Sequence, residues 1–306
     1  MGIIINQILV LFLIIFLGFV LRKKQLINEE INKGLSNILV DVTLPALIIS
    51  SMAIEFNPDI MDNIKKIGFI SIASYLTVIA LVLIFTSKLS LPSKRKTVFK
   101  FLLIFGNVGY MGYPVIDTIY PELGILYAVI NNIIFNVLVW TFGIYLFIKD
   151  EKGSNIKLHN LVNNGLIAVV IGFILFLGNI KLPLPIEGAL DKVGEMTFPL
   201  SMIIIGSSLT NVRFKTIIKD YYLYLLCLLK LIAIPLIGFL ILIQFDLPQI
   251  IRDISVLLLA MPAAASGVIF AEKFEGDYKF ASEGVFITTL FSLVTIPLFI
   301  WLTRIY

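Results

Sequence analysis

The sequence predicts an all-α integral membrane protein with ten transmembrane helices. They form two inverted five-helix repeats, and helices four and nine are broken at their centres. Three observations point there. The 306 residues are 59% hydrophobic and 14% charged, with a mean hydropathy of +1.01, whereas a soluble domain carries about 25% charged residues. Apolar stretches of about 20 residues, the length a bilayer requires, recur along the chain. Two of them carry helix-breaking residues at their centres: GNVGYMGYP at 106–114, and Pro262 followed by Ala263, Ala264, Ala265, Ser266 and Gly267. Paired Gly/Pro interruptions in the two halves of a membrane chain are the sequence mark of a transporter site.

The ten spans fall at about 3–21, 33–54, 67–87, 101–119, 124–148, 160–179, 189–210, 219–243, 253–271 and 281–303. Alternate connections must face the same side. One set holds 17 of the 24 Lys and Arg residues, including Arg22, Lys23, Lys24, Lys94, Arg95 and Lys96. The other set, with both termini, holds Lys65, Lys66, Lys181, Lys192, Arg252 and Arg304, and Lys230 lies within span eight. The positive-inside rule places the first set in the cytoplasm and both termini outside a cell membrane crossed many times. The N-terminus does not read as a signal peptide: no basic stretch precedes the long apolar run from Ile3 to Leu21.

The longest cytoplasmic connection, 149–159, divides a first repeat (1–148) from a second (160–306). GFVL at 18–21 returns as GFIL at 172–175, an offset of 154 residues. The same offset takes DVTLPAL (41–47) to EMTFPLS (195–201) and Pro45 to Pro199. Several matches at one offset indicate a repeat. Because five spans per copy is odd, the second copy enters the membrane from the opposite side.

Composition also excludes functions. A single Cys (Cys227) and a single His (His159) leave no disulfide framework and no His/Cys metal cluster. No catalytic constellation, ATP-binding motif or cofactor signature is present. The glycines of 106–112 follow no strand, so they are not a dinucleotide fingerprint. A net charge of +4, dispersed in short loops, does not suggest nucleic-acid binding. The expectation is a protein that is not an enzyme and takes no cofactor or metal.

Three stretches carry a family resemblance: GNVGYMGYP in span four (the pattern Asn-x-Gly-x-x-Gly-x-Pro), LPAL at 44–47, and AMPAAASGVIFAEKF at 260–274. With ten spans, the whole chain resembles the auxin efflux carrier family, which includes bacterial permeases. The resemblance implies a fold similar to bile-acid sodium symporters. Spans one, two, six and seven would form a scaffold that often dimerises. Spans three to five and eight to ten would form a mobile transport domain in which spans four and nine cross. It further implies elevator-type secondary transport of small organic anions, auxin-like carboxylates or dicarboxylates. The long central loop of many plant members is absent.

Candidate site residues follow from both readings. Pro114 and Pro262 free backbone groups, and the N–H groups and dipole at a half-helix N-terminus attract an anion. Asn107 falls on the family's motif Asn, which implies a substrate carboxylate contact; its amide also suits backbone groups left open by the break. Gly109, Ala263 and Ser266 accompany the breaks, with Ser266 also readable as a small packing residue. In span five, Asn132 and Asn136 share a helix face and either line the cavity or bond between helices. Thr288, Thr289 and Ser292 in span ten carry the same two readings. Asp41 and Glu195, related by the repeat, and Asp117 are candidates for coupling-ion binding, or else interfacial and capping acids. Lys230 is expected to snorkel to the surface. The coupling ion, H⁺ or Na⁺, stays open. A sodium-coupled organic anion symporter is the alternative, and a channel or an intramembrane enzyme a more distant one.

Overall fold

The computed structural model describes residues 2–55, 57–148, 164–208, 210 and 219–305. The linker 149–159, with His159, lies outside them. The described residues are helical throughout, apart from turns and one isolated antiparallel bridge. The helices are α1 (Gly2–Lys23), α2 (Glu29–Met52), α3 (Pro58–Ser87), α4 (Ser93–Ile104), α5 (108–119) and α6 (Gly124–Phe147). They continue as α7 (Asn164–Leu177), α8 (Leu184–Glu195), α9 (Thr197–Ser208) and α10 (Tyr221–Leu242), then α11 (Gln249–Leu259), α12 (Ser266–Lys273) and α13 (Tyr278–Ile305). By length and composition α2, α3, α6, α10 and α13 can each cross a membrane uninterrupted.

Proline shapes several of these helices. Widened π-helical turns lie at Leu39–Thr43, Val108–Gly112 and Leu229–Ala233. Each is followed by a proline two residues past its end: Pro45, Pro114 and Pro235. Proline has no N–H, and its ring collides with the carbonyl four residues earlier. Those carbonyls, on Asp41, Tyr110 and Leu231, sit inside the widened turns. The local answer is one extra residue in the turn rather than a break. Gly109 and Gly112 therefore belong to a helical turn, and the stretch that leaves the helix is shorter than the glycine-rich sequence suggests.

The chain divides into two compact units. The first comprises Met1–Lys66, Gly109–Ile133 and His159–Thr210. In it α1 lies along α9, and the end of α2 packs on α7 and α8. Small residues permit both contacts. A Cβ on Gly18 would strike the Ile203 backbone, and one on Gly206 the carbonyl of Ile15. One on Gly172 would come within 2.7 Å of Met52 Sδ, and one on Gly194 within 2.9 Å of Leu47 Cα. In lipid, helices associate largely through such close backbone approach.

The second unit comprises Ile67–Val108, Ile134–Leu158 and Asn211–Tyr306. Here α13 packs on α4, α10, α11 and α12. An aromatic cluster joins α4, α6 and α12: Phe101 lies 5.4 Å from Phe270, and Trp140 5.3 Å from Phe270, centre to centre. At the other end of α4, Arg95 donates to Asp277 (2.8 Å) and Asp220 (2.9 Å) and stacks its guanidinium 4.9 Å from the Phe280 ring. Partial burial opposes its charge, but the two carboxylates prevail and raise its pKa. The sequence presents Arg95 only as one of several loop cations; its partners lie more than a hundred residues away.

Gly206→Ala should lose roughly 1–3 kcal/mol or more, because the new methyl meets backbone that cannot yield. Gly188→Ala, with open space at its Cβ, should leave the unfolding temperature in detergent unchanged or slightly raised. Equal unfolding temperatures for the two variants would mean that α1 and α9 are not in close contact.

Candidate functional site

Two chain breaks meet within the second unit. After α4 the backbone turns extended at Phe105 (φ −98°, ψ 116°) and resumes as a helix at Val108. After α11 it runs without helix through 260–265, and α12 begins at Ser266. Pro262 cannot continue α11, because it lacks a donor. Gly106 and Ala263 form an antiparallel bridge. The Asn107 N–H donates to Pro262 O (2.7 Å) and the Ala264 N–H to Phe105 O (3.0 Å). This is a two-strand ladder one residue pair long. It supplies partners for groups that would otherwise be left bare, at several kcal/mol each in hydrocarbon.

The pair Gly106 and Ala263 sits between the two hydrogen bonds, where facing residues approach most closely. A Cβ on Gly106 would lie 3.3 Å from Lys230 Nζ, 3.4 Å from Met261 O and 3.5 Å from Leu258 O. Glycine is the residue that fits. The Ala263 N–H, pointing away from the ladder, donates to Thr288 Oγ1 at 3.2 Å. That hydroxyl in turn donates to Gly284 O, 2.7 Å, one turn back along α13. Thr288 is fully buried. Of the two readings of this residue, the structure supports the hydrogen bond to a broken helix.

The ladder alters one expectation. The backbone donors at 107, 263 and 264 already have partners, and the Val108 N–H donates to Gly106 O at 2.9 Å. These N–H groups are not open to a ligand. Two side chains nearby keep uncommitted polar atoms. Asn107 is 5% exposed and its amide makes no hydrogen bond among the described residues. The Ser266 hydroxyl, at the start of α12, is buried without a partner. A buried polar group left unpaired in a native fold calls for an explanation.

Asn107, Pro262, Ala263, Ser266 and Asn136 belong to the second unit; Gly109, Pro114, Asn132, Asp117, Asp41 and Glu195 belong to the first. A Cβ on Gly109 would meet open space, so tight packing does not account for that glycine. Pro114 is buried near the start of the regular part of α5. Asp41 is exposed on the widened turn of α2 and accepts from Asn164 Nδ2 at 2.9 Å. Glu195 is exposed at the end of α8, and half-buried Asp117 is near enough to feel its charge. Among the described residues no group of three or more His, Cys, Asp or Glu could hold a metal ion.

Lys230 corrects the sequence reading. It does not snorkel: it is 2% exposed, and its ammonium lies against the first break. Nine residues separate it from Tyr221 at the start of α10, about 13 Å at 1.5 Å per residue. That is too far for a lysine side chain to reach a helix end. The position of Lys230 in its span was the available signal, and its distance from either end outweighs the general habit of lysines.

Residues 3–300 match the Membrane transport protein family. The chain belongs to this auxin efflux carrier-like family. The transporter is similar, along its whole length, to proteins described as uncharacterized transporters. One from Methanocaldococcus jannaschii is 22% identical over 97% of this chain and 98% of its own. One from Methanothermobacter thermautotrophicus is 25% identical over 96% of each chain. YfdV of Escherichia coli is 23% identical over 98% of each. Family membership and the five helices long and apolar enough to cross a membrane together indicate a multi-pass membrane transporter.

Thr288→Val in the transporter keeps the shape and removes the acceptor for the Ala263 N–H. An orphaned buried donor costs about 1–3 kcal/mol. Thermal unfolding should show that loss for Thr288→Val and little change for Thr288→Ser. Indifference to both substitutions would place the 260–265 segment elsewhere.

Proposed function

We propose that the transporter is a secondary carrier of small organic anions, carboxylates above all, and that it holds them where the breaks of spans four and nine cross. The observation that carries this reading is the ladder joining 105–107 to 262–264, with an uncommitted buried amide on one strand and an orphaned buried hydroxyl just past the other. Amide and hydroxyl donors hold a carboxylate without the bidentate grip of an arginine, which suits a protein that must release what it binds. Ser266 also lies at a helix N-terminus, where negative charge is favoured.

The wider architecture supports alternating access. The ten spans are read as two inverted repeats with both termini outside. Gly18 and Gly172, equivalent under the 154-residue offset, both make close contacts: Gly18 on α1 meets Ile203 on α9, and Gly172 on α7 meets Met52 on α2. That exchange of partners is what a two-fold relation between the halves would produce. The first unit holds most of spans one, two, six and seven, the proposed scaffold and dimer surface; the second holds most of spans three, eight, nine and ten. An elevator motion would carry the crossing past the scaffold. Asp41, Glu195 and Asp117 remain proposed coupling groups.

Replacing Asn107 by Ala tests the site. Removing one hydrogen bond to a charged ligand costs roughly 1.5–3 kcal/mol, or about ten- to a hundred-fold in affinity. A thermal-shift screen of mono- and dicarboxylates on the purified protein would supply the ligand, and calorimetry the affinities. Asn107→Ala should stay monodisperse and bind that much more weakly. Unchanged affinity would move the carboxylate away from the crossing, and Asn132 and Asn136 would be examined next.

A further inference from the structure

An ionisable residue inside a membrane span is expensive and functional by default. Lys230 is 2% exposed and sits on the widened turn Leu229–Ala233, well inside α10. It borders the crossing: a Cβ on Gly106 would lie 3.3 Å from its Nζ. This turn packs on α4 and α13. The charged groups of those helices are Lys94, Arg95, Lys96 and Lys100, and Lys279, Glu283 and Arg304; α11, whose end also borders Gly106, carries Arg252 and Asp253. Cys227 precedes Lys230 by three residues on α10. Arg95 is held by Asp220 and Asp277, Lys279 lies 3.9 Å from Glu283, and Arg252 3.7 Å from Asp253. Among the described residues no carboxylate forms an ion pair with Lys230, and no neighbouring charge acts on it. An amine shut away from water without a counter-charge is costly to keep charged, and an anion brought near it removes that cost.

We propose that Lys230 is the proton-coupling residue of the carrier: its amine is neutral while the crossing is empty and takes one proton from water when an anion binds there. One N–H bond forms on loading and breaks on release, and the +1 of the ammonium balances the −1 of a carboxylate. Anion and proton then move as a neutral pair. Nζ lies against Gly106, the residue before Asn107, so the two charges act on each other through the low-dielectric interior without needing to touch. Asp41 and Glu195 are exposed, and exposed acids exchange protons with water whether or not the crossing is occupied. Lys230 is placed so that its proton depends on the occupant. This assignment rests on the crossing being the anion site, and it names the coupling ion for that site.

The test reads the lysine itself. In the purified transporter, lysines labelled with ¹³C at Cε report protonation of the adjacent Nζ by nuclear magnetic resonance. The Lys230 signal is the one missing from Lys230→Met, or from Lys230→Arg should the first variant fail to fold. In sodium chloride, Lys230 should lose its proton about two pH units or more before exposed lysines, which titrate near ~10.4. Replacing chloride by acetate, the simplest carboxylate, at equal ionic strength should strengthen proton binding at Lys230 by roughly ten-fold. Asn107→Ala should reduce that acetate effect and leave the titration in chloride in place. A Lys230 that titrates together with the exposed lysines would overturn the proposal, whatever binds at the crossing. An early titration that acetate does not move would overturn the coupling. Neither result touches the calorimetric affinities of Asn107→Ala, which decide the anion site separately.

Discussion

The structure depends on one constraint: a polypeptide cannot leave the helix inside a membrane unless its backbone groups find other partners. The transporter meets it by bringing two breaks together. Phe105 and Asn107 exchange hydrogen bonds with Pro262 and Ala264, so each interruption satisfies the other. Once that choice is made, neighbouring residues are constrained. Position 106 must be glycine to allow the close pair with Ala263. Position 288 must offer an acceptor for the N–H of Ala263, which faces outward from the ladder. The aromatic cluster of Phe101, Phe105, Phe147 and Phe270 packs α4 and α12 beside the crossing.

What the ladder leaves over is polar and lies in side chains. A continuous helix would have used all its backbone groups and offered a ligand nothing. Here the backbone is nearly satisfied, and the surplus lies in side chains: the Asn107 amide, the Ser266 hydroxyl and the Lys230 ammonium. Each of the three can donate a hydrogen bond, and none is a bidentate clamp. In the function we propose, these donors would capture a small anion reversibly; what the chain's family membership supports is membrane transport.

Much of this was legible in the sequence because glycine and proline act locally. Pro262 and the glycines of 106–112 mark the interruptions by chemistry that needs no knowledge of the fold. The extent of each break was less legible. Whether a proline ends a helix or merely widens one turn depends on whether the neighbouring carbonyls find other partners. Pro45, Pro114 and Pro235 widen a turn, whereas Pro262 stands within a true gap. The least legible features join distant residues. Nothing local in the sequence pairs Arg95 with Asp220 and Asp277, or sets Lys230 beside Gly106. Nor does sequence show that the donors freed by one break are taken up by the other.

The ladder itself can be observed directly. Hydrogen–deuterium exchange of the transporter in nanodiscs, resolved to short peptides spanning 104–108 and 261–265, reports whether the amides of Asn107, Ala263 and Ala264 are bonded. Both peptides should exchange as slowly as the flanking helices, and Thr288→Val should speed exchange in 261–265. Rapid exchange of both segments in the wild-type protein would mean that the breaks are open to water and do not sustain each other, contrary to the account.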